Sequence, residues 1–439
     1  MKRFTIFAAM LLLSLAVKAQ EREWNLQQCI EYAIENNISV KQSEISVEQK
    51  EIALNNSINS RLPGVSAGAG QNFSFGRGLT ADNTYANTNT TSTSFSIGAD
   101  MTVFNGFRTK YEIARGRLDL ETATSELEKA KDDIRVAVAQ AYVQILYNME
   151  ILDVAANQVS IDEMQVNRIE ALLANGKASQ VELSAQKATL AQSRLSQVQA
   201  ANNLSLSLLE LTQLLELPSP EGFNVQRPAI DRLQTQLLPS PELIYEEALG
   251  IKASVKAEEL KLENARLGIE QAKGAYLPTL SLNGGLGTNY YTSSGFESNP
   301  FLSQMKNNFS QYLGMNLSIP IFSRYQTRNQ IRSSRLSYDS QALQLDLTKK
   351  NLFKEIQQAY YNALASEEKY RSSEQAEQSA RDAFEQVTAK FENGKASITE
   401  YNESKGRYVS AASDLAQARY QYLYQTRLLD FYRGAEMAF

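Results

Sequence analysis

The feature that most constrains the fold is a heptad pattern about 70 residues long, which occurs twice. In its first copy, residues 106–175, every seventh residue from Val138 to Leu173 is apolar. An apolar repeat of seven, held over about five heptads without a proline, is typical of a long coiled-coil helix. At ~1.5 Å per residue such a helix is roughly 105 Å long. The other elements must therefore be arranged along rods that exceed a usual globular domain.

The second copy of the pattern covers residues 323–393. Five of its six seam positions are again apolar, and the exception is Glu377. Those six positions are Ile356, Ala363, Tyr370, Glu377, Phe384 and Phe391. Both copies end in the sequence Asn-Gly-Lys-Ala-Ser, which starts at Asn175 and at Asn393. The repetition predicts a tandem duplication, with repeats at 20–216 and 242–434.

The first residues have the pattern of a secretory signal peptide, predicted here as residues 1–19. Met1-Lys2-Arg3 is basic, an apolar stretch follows to Val17, and Val17-Lys18-Ala19 is an acceptable cleavage site. We expect an exported protein whose mature chain starts near Gln20. Cys29 follows within a helical pattern, so it is expected to be a buried helix residue.

The composition argues against several classes of function. The chain has no histidine and one cysteine, so His-based catalytic triads and soft-ligand metal sites cannot be assembled. Neither a cofactor nor an enzymatic activity is expected. The net charge is -5 and basic residues alternate with acids, which does not favour nucleic-acid binding. No apolar run of 18 residues follows the signal segment, so a membrane protein would have to be a β-barrel.

In the first repeat, the spacing predicts one helix over 24–62 and a β-hairpin over 65–104. Pro63-Gly64 ends the helix, and apolar and polar residues then alternate from Val65 to Phe75 and again over 94–103. Residues 80–93, rich in Thr, Asn and Ser, are interpreted as a solvated loop. The long helix 106–175 and a return helix, 180–216, complete the repeat.

Five prolines crowd residues 217–241, which are interpreted as a linker. The second repeat then follows the first. Its predicted parts are a helix over 242–275, a hairpin over 280–322 whose last strand is 313–321, the long helix 323–393 and a return helix over 398–433. A tail, 435–439, ends the chain. Ser179 with Glu182, and Ser397 with Glu400, have the spacing of a capping box at the start of each return helix.

Each predicted strand is amphipathic and about ten residues long, enough to cross a bilayer at a tilt. Four strands cannot close a barrel, and open edges are not tolerated in lipid, so other copies of the chain would have to complete it. We therefore expect an oligomer. The alternative for these strands is the edge of a secreted β-sandwich.

The order of these parts, repeated at a nearly fixed offset from Trp24 to about Arg433, resembles the TolC family of outer-membrane efflux channels. The resemblance implies a mainly α fold with a transmembrane β-barrel, in which long helices form a coiled-coil barrel. It also implies a homotrimer with a 12-stranded barrel, four strands per chain, an α-helical tunnel across the periplasm, and an equatorial domain built from the linker and the chain's end. The implied location is the outer membrane of a Gram-negative bacterium.

The same resemblance implies partners and a function. The channel would be the exit duct of a tripartite efflux system that exports small molecules, with a periplasmic adaptor and an inner-membrane pump of the RND or ABC type. Outer-membrane lipid would surround it, and the channel itself would catalyse nothing. The sequence leaves two alternatives open, a type I protein-secretion conduit and a structural coiled-coil stalk or adhesin.

Three sets of candidate functional residues follow. Residues at the two tips would bind the adaptor, although their glycines and serines also suit helix ends and caps. These tip residues are Gly176, Lys177, Ser179, Gly394, Lys395 and Ser397. The family implies that Glu400 and Glu403 line the periplasmic aperture; Glu400 matches Glu182 and suits capping, whereas Glu403 matches Ala185. Asp100, on the polar face of a strand, is a candidate for the barrel lumen.

Overall fold

The computed structural model describes residues 23–79, 83–228, 238–294 and 297–438. The predicted signal peptide, residues 1–19, lies outside the described residues, as do residues 229–237 of the predicted linker. The elements before the linker are β1 (Glu23–Trp24), α1 (Leu26–Asn36), α2 (Ile38–Asn59), β2 (Gly64–Leu79), β3 (Tyr85–Asn105), α3 (Arg108–Ala174) and α4 (Gln180–Leu214). The remaining elements are β4 (Asn224–Val225), α5 (Pro241–Ile251), α6 (Ala253–Lys273), a 3₁₀ turn (Gly274–Tyr276), β5 (Thr279–Ser293), α7 (Phe301–Asn307), β6 (Ser310–Ser318), α8 (Gln326–Glu392) and α9 (Ile398–Tyr432).

The chain forms two compact units, and each unit draws on both predicted repeats. The first unit contains Met1–Ile45, Ser125–Lys256 and Leu347–Phe439, and the second contains Ser46–Thr124 and Ala257–Asp346. Each compact unit therefore combines segments of both repeats, and neither unit corresponds to a single repeat. Each unit is described separately below.

Helical seams form the core of the first unit. Val138 and Ile145 of α3 are fully buried, and they pack in one cluster with Cys29 of α1 and Leu211 of α4. The equivalent seam residue of α8, Ile356, is also fully buried. The expectation that Cys29 is a buried helix residue is confirmed. Burial raises the pKa of its thiol to about 12, so the thiol is protonated at neutral pH.

The prediction of single helices over 24–62 and 242–275 is wrong, because the backbone leaves the helix at equivalent points in both. Asn37 and Lys252 each adopt an extended conformation between two helices. At Asn37 the side chain replaces the lost helical bonds, since its Nδ2 donates to the carbonyl of Leu214 at 3.0 Å and its Oδ1 accepts from the amide of Ser39 at 2.9 Å. The heptad spacing continues across the break, so sequence periodicity did not reveal it.

A short parallel pair, β1 with β4, connects the chain's start to the segment after α4. The buried Tyr142 of α3 supports this pair, because its hydroxyl donates to the carbonyl of Gln226 at 2.6 Å. Burial raises the pKa of this phenol, so it remains a donor at every physiological pH.

The second unit contains a four-stranded antiparallel sheet in the order β2-β3-β5-β6. The two hairpins are joined by the pairing of β3 with β5. The strands contain 16, 21, 15 and 9 residues, so the expectation of about ten residues each is wrong for the first three. The expected loop 80–93 is a strand from Tyr85 onward, because β2 pairs with it from Tyr85 and β5 pairs with its other side from Thr90.

One face of the sheet carries apolar rows. Met101, Leu282 and Met315 lie directly opposite one another on β3, β5 and β6. Leu317 of β6, in the row of Leu280, has 59% of its surface exposed, and Leu313 has 86% exposed. The hairpin expectation of one apolar and one polar face therefore holds in this part of the sheet.

The helix α7 covers the part of β5 that extends beyond β6. Pairing of β5 with β6 stops at Gly287. Beyond that point, Gln304 of α7 accepts from the amide of Tyr291 at 2.9 Å and donates to the carbonyl of Tyr291 at 3.0 Å. One side-chain amide thus makes the two hydrogen bonds that a neighbouring strand would make.

Among the described residues, no helix combines the length and the apolar composition that crossing a bilayer requires.

Candidate functional site at the helix tips

The first tip, residues 173–179, reverses the chain between α3 and α4 through a Schellman turn. The amide of Lys177 donates to the carbonyl of Leu172 at 2.8 Å, and the amide of Gly176 donates to the carbonyl of Leu173 at 2.9 Å. Gly176 has a φ of +66°, which a side chain would disfavour. Lys177 is exposed at the apex.

The second tip, residues 391–397, has the same geometry. The amide of Lys395 donates to the carbonyl of Lys390 at 2.8 Å, the amide of Gly394 donates to the carbonyl of Phe391 at 3.1 Å, and Gly394 has a φ of +69°. Lys395 is exposed, as Lys177 is at the first tip. Open space surrounds the position of a Cβ at both glycines, so only the backbone conformation requires them.

Each return helix starts with the predicted capping box. The hydroxyl of Ser179 accepts from the amide of Glu182 at 3.1 Å, and the Glu182 carboxylate accepts from the amide of Ser179 at 2.7 Å. Ser397 and Glu400 make the same reciprocal pair at 3.2 and 2.8 Å. The hydrogen bonds from Ser179 hold the pKa of Glu182 below its ordinary value of 4.5.

The two tips lie side by side in the first unit. Ile398, the first residue of α9, packs against a cluster formed by α3 and α4. Arg168 of α3 donates to the carbonyl of Glu392 at 3.1 Å, and its guanidinium lies 5.1 Å from the centre of the Phe391 ring. The two apexes, each with an exposed lysine, therefore lie together at one end of this unit.

The predicted acidic pair behind the second tip separates into two different environments. Glu400 is engaged in the capping box. Glu403, one turn later, is 61% exposed and accepts from Arg407 at 2.6 Å. Glu403 thus faces solvent, as the aperture hypothesis requires, but a neighbouring cation offsets part of its charge.

The main feature that sequence reasoning missed is a buried polar cluster centred on Asp162 of α3. Asp162 has no exposed surface, and its carboxylate accepts hydrogen bonds from residues of three helices. The donors are Gln158 (2.9 Å), Gln186 (3.2 Å), Ser193 (2.5 Å) and Lys405. The Lys405 side chain is 5% exposed, so a buried ion pair joins α9 to the α3–α4 pair.

A signal for this cluster was present in the heptads. The seam residue Val159 occupies one core position of its heptad. Asp162, three residues later, occupies the second core position. Ala141, Asn148 and Ile169 occupy the same position in other heptads and are all buried. An acid at such a position needs a partner from a neighbouring helix. Its partner could not be identified from one sequence, because Lys405 lies 243 residues away.

The third candidate, Asp100, lies in the second unit. It is exposed on β3, directly opposite Gly64 of β2 and Asn283 of β5. Its carboxylate makes no hydrogen bond with any residue that the structure describes, and its assignment to a lumen stays a prediction.

The fold consists of duplicated long helices and one four-stranded antiparallel sheet, and solved structures share it. The CmeC outer membrane channel of Campylobacter jejuni is similar in structure, with a TM-score of 0.78 at 18% identity; the alignment covers 94% of this chain and 87% of that one. This likeness concerns the fold.

Residues 29–216 and 244–435 match the model of the outer membrane efflux protein family, so the chain belongs to that family. It is 23% identical to the outer membrane protein TolC of Salmonella enteritidis over 403 residues, 91% of this chain and 79% of TolC. It is also 23% identical to the alkaline protease secretion protein AprF of Pseudomonas aeruginosa, over 69% of this chain and 61% of AprF. The resemblance inferred from the sequence is confirmed.

The protein is therefore an outer-membrane efflux or secretion channel of a Gram-negative bacterium, and its family is one of transport proteins. Such channels work with partners in efflux or secretion systems. The identity of those partners is a matter for proposal.

Proposed function

We propose that three copies of the chain form one continuous duct, a 12-stranded barrel in the outer membrane continued by a helical tunnel through the periplasm, which serves as the exit of a tripartite efflux system. The mature chain would start near Gln20 after removal of residues 1–19. Residues 20–216 and 242–434 would be the two repeats of each subunit. Residues 217–241 and the chain's end would build an equatorial domain.

The observation that carries this proposal is the sheet with two open edges. Within the described residues, β2 pairs only with β3 and β6 pairs only with β5, so each terminal strand has a free outer edge. An edge of this kind is not stable in lipid. A neighbouring copy that adds its β2 to β6 satisfies both edges, and three copies of four strands make the barrel.

Exposed apolar stripes on the helices support the same assembly. Ile38, Ile45 and Ile52 recur at heptad spacing on α2 and are 56%, 54% and 61% exposed. Leu336 and Leu343 of α8 recur likewise and are 63% and 70% exposed. Heptad stripes are the pattern by which helices of neighbouring chains pack. Burying them between subunits would remove large apolar surfaces from water.

The helix tips are the proposed docking site for the periplasmic adaptor. Six residues would form the contact surface, namely Gly176, Lys177, Ser179, Gly394, Lys395 and Ser397. The support is their position at one exposed end of the first unit, with both lysines unburied. An inner-membrane pump of the RND or ABC type would then supply the energy.

The proposed aperture lies one turn behind the second tip. Three copies of Glu400 and Glu403 would bring up to six carboxylates to one constriction, a ring that favours cations. Asp100 would add a carboxylate to the lumen of the barrel. The exposure of Glu403 supports its part in this assignment, and Arg407 would reduce its strength.

The assembly can be tested by disulfide cross-linking. Ala67→Cys on β2 is combined in turn with Leu313→Cys, Met315→Cys or Leu317→Cys on β6. One of the double variants should give covalent trimers under oxidation, because each copy then carries both halves of the contact. The single-cysteine variants are the controls, and the buried, protonated Cys29 leaves the background low. Absence of cross-linked species in every pair would contradict the barrel.

Conductance of the purified oligomer in planar bilayers tests the duct itself. A channel should give discrete conductance steps, whereas a structural stalk or adhesin should give none. The AprF relative favours a second candidate, a type I protein-secretion conduit. Co-purification after cross-linking in cells separates the two, because the pump and cargo recovered with the channel would differ.

A further inference from the structure

The turn before α8 and the start of α8 carry four arginines that pair with no acidic residue the structure describes. They are Arg324, Arg328, Arg332 and Arg335, and all four are exposed. No acidic residue occurs between Glu297 and Asp339. None of the four arginines takes part in an ion pair with any described residue.

The spacing of the arginines places them on one face of the helix. Arg328, Arg332 and Arg335 are separated by four and three residues, so they form a single stripe. The buried side of α8 is different, since it holds Thr327 and Ile331. The arginine stripe is therefore a solvent-facing surface and not a part of the packing within the chain.

This placement of charge is unfavourable for an isolated helix. The amino end of a helix carries a partial positive charge, which favours acids in the first turn and disfavours cations. The return helices follow this rule with Glu182 and Glu400, whereas the two long helices, α3 and α8, have no acid in the first turn. An anion bound outside the chain would compensate both the arginines and the helix end.

The turn before α8 has the same left-handed conformation as the turn before α3, where Phe107 has a φ of +63°, but it contains a different residue. Arg324 has a φ of +50° and Tyr325 a φ of +63°, both in the left-handed region. The first repeat has Gly106, with a φ of +72°, where the second has Arg324. A left-handed arginine at a position that glycine fills in the sister repeat is strained, and such strain is characteristic of functional positions.

The neighbouring surface identifies the environment of the stripe. The apolar face of β6 continues into Ile319 and Ile321, which are 60% and 95% exposed, and then Phe322 and Tyr325, which are 70% and 61% exposed. From the hydrocarbon core of a bilayer to its headgroups, a membrane protein typically presents apolar residues, then an aromatic belt and then cations. The residues here follow the same order.

The other long helix carries exposed cations at two equivalent positions, since Lys110 matches Arg328 and Arg117 matches Arg335. Asn105 and Ser318 both pair with Thr279, so α3 and α8 start from the same end of the sheet. On α3, however, Arg108 donates to the carbonyl of Asn105 at 3.0 Å, and Arg115 donates to Asn264 at 2.8 Å and to Gln271 at 2.6 Å. Arg108 and Arg115 thus have partners within the chain, whereas Arg324, Arg328, Arg332 and Arg335 have none among the residues that the structure describes.

We propose that Arg324, Arg328, Arg332 and Arg335 bind the phosphate groups of anionic phospholipids in the periplasm-facing leaflet of the outer membrane. The guanidinium groups suit phosphate oxygens, since each can donate two parallel hydrogen bonds. The stripe fixes the depth of the sheet in the bilayer at this leaflet. This inference rests on the proposed barrel, because it needs the apolar face of β6 to contact lipid.

The test measures lipid selectivity of the purified full-length oligomer. Wild type is equilibrated in micelles that contain equal amounts of phosphatidylglycerol and phosphatidylcholine with the same acyl chains, and retained lipid is counted by native mass spectrometry. Wild type should retain phosphatidylglycerol in excess. Four surface charges should give an excess of phosphatidylglycerol of about ten-fold or more. A variant in which Arg324, Arg328, Arg332 and Arg335 are all changed to Gln should lose this excess.

A matched control removes four exposed cations from further along the same helix. Changing Lys350, Lys354, Arg371 and Lys390 to Gln alters the net charge equally and should leave the lipid excess unchanged. Equal retention of the two lipids by wild type would overturn the proposal, and so would an excess that persists in the arginine variant. A changed ion selectivity with unchanged lipid retention would also overturn it, since the arginines would then face the duct.

Two further measurements keep the outcome clear. Arg324→Gly restores the residue of the first repeat, so it should raise thermal stability while lowering phosphatidylglycerol retention. Arg324→Lys should keep the retention.

Planar-bilayer conductance of the same samples separates the lipid-site proposal from the proposed duct. Wild type that conducts without lipid selectivity contradicts only the lipid site, whereas wild type that does not conduct contradicts the duct.

Discussion

Behind the first tip Lys187 lies on the surface, and behind the second tip the equivalent residue, Lys405, is buried. Lys187 is 54% exposed and pairs with Glu170 at 2.7 Å, whereas Lys405 is 5% exposed and pairs with Asp162. The turns and caps that precede them are the same in both tips. The duplicated chain has thus kept the backbone chemistry of the tip, while the burial and the partner of the lysine about two turns after the cap have diverged.

The divergence has a physical meaning. A capping box and a Schellman turn satisfy groups that every helix end leaves unpaired, so any working copy must keep them. The contacts that a return helix makes with its neighbouring helices, by contrast, can differ between the two repeats. In α9 the buried pair with Asp162 ties the helix to α3, and the exposed Glu403 stands where α4 has Ala185.

Breaking the buried pair should have the largest effect. Asp162→Ala leaves the Lys405 ammonium buried without its partner, which costs about 3–5 kcal/mol. The repeat-matched control, Glu170→Ala, removes the partner of the exposed Lys187 and should cost ~0–1 kcal/mol. Hydrogen exchange of amides in α3 and α9 measures both. Equal losses of protection in the two variants would show that the repeats have not diverged here.

Removing the caps should have a smaller effect that is the same at both tips. Ser179→Ala and Ser397→Ala each remove the hydroxyl acceptor of a capping box, at a cost of about 1 kcal/mol. Exchange of the first-turn amides of α4 and α9 should increase to a similar extent. A response at only one tip would mean that the neighbouring packing, and not the cap, holds that turn.

Acid should loosen the first tip through the same contact. The pKa of Glu182 is lower in the folded protein than its ordinary value of 4.5. Its contribution to stability is therefore present above that value and is lost as the pH falls through the folded pKa. Amide exchange in the first turn of α4, corrected for intrinsic rates, should accelerate on acidification. Glu182→Gln provides the control, because its first turn should not respond over the same range.

The smallest effect on stability is expected at Glu403. Its pair with Arg407 is exposed on one helix, so Glu403→Ala should cost only ~0.3–0.5 kcal/mol. The variant should nevertheless lower the cation preference of the channel in a salt gradient, if Glu403 lines the aperture. An unchanged reversal potential would remove Glu403 from the aperture. Ala185→Glu, which places the acid in the first repeat, tests whether that position faces the same space.

Local signals predicted the parts of the fold that local chemistry determines. The heptads of α3 and α8, the glycines of the tips and the serines of the caps each specify their own conformation. The breaks at Asn37 and Lys252 were not visible, because the apolar spacing continues through them and the carbonyl that Asn37 binds belongs to Leu214, far along the chain.

The strand over residues 85–93 was also not predictable from local sequence. Its run of Thr, Asn and Ser has no alternation of apolar and polar residues, so it was interpreted as a loop. The conformation comes from the neighbouring strands, because β2 pairs with all of this stretch and β5 pairs with it from Thr90. At the site, the caps were predictable in the same way, while the roles of Glu403 and the partner of Asp162 depend on neighbours that a single sequence does not reveal.

The short helix α7 has a consequence for the subunit before it assembles with other copies of the chain. A bare strand edge is a template for uncontrolled pairing with other chains, including partly folded ones. Gln304 occupies the hydrogen-bonding groups of Tyr291, so the outer part of β5 cannot recruit a foreign strand. Within the four-stranded sheet, the outer edges of β2 and β6 stay free to recruit one. The newly made subunit thus has a built-in safeguard against aggregation over the part of β5 that extends beyond its own β6.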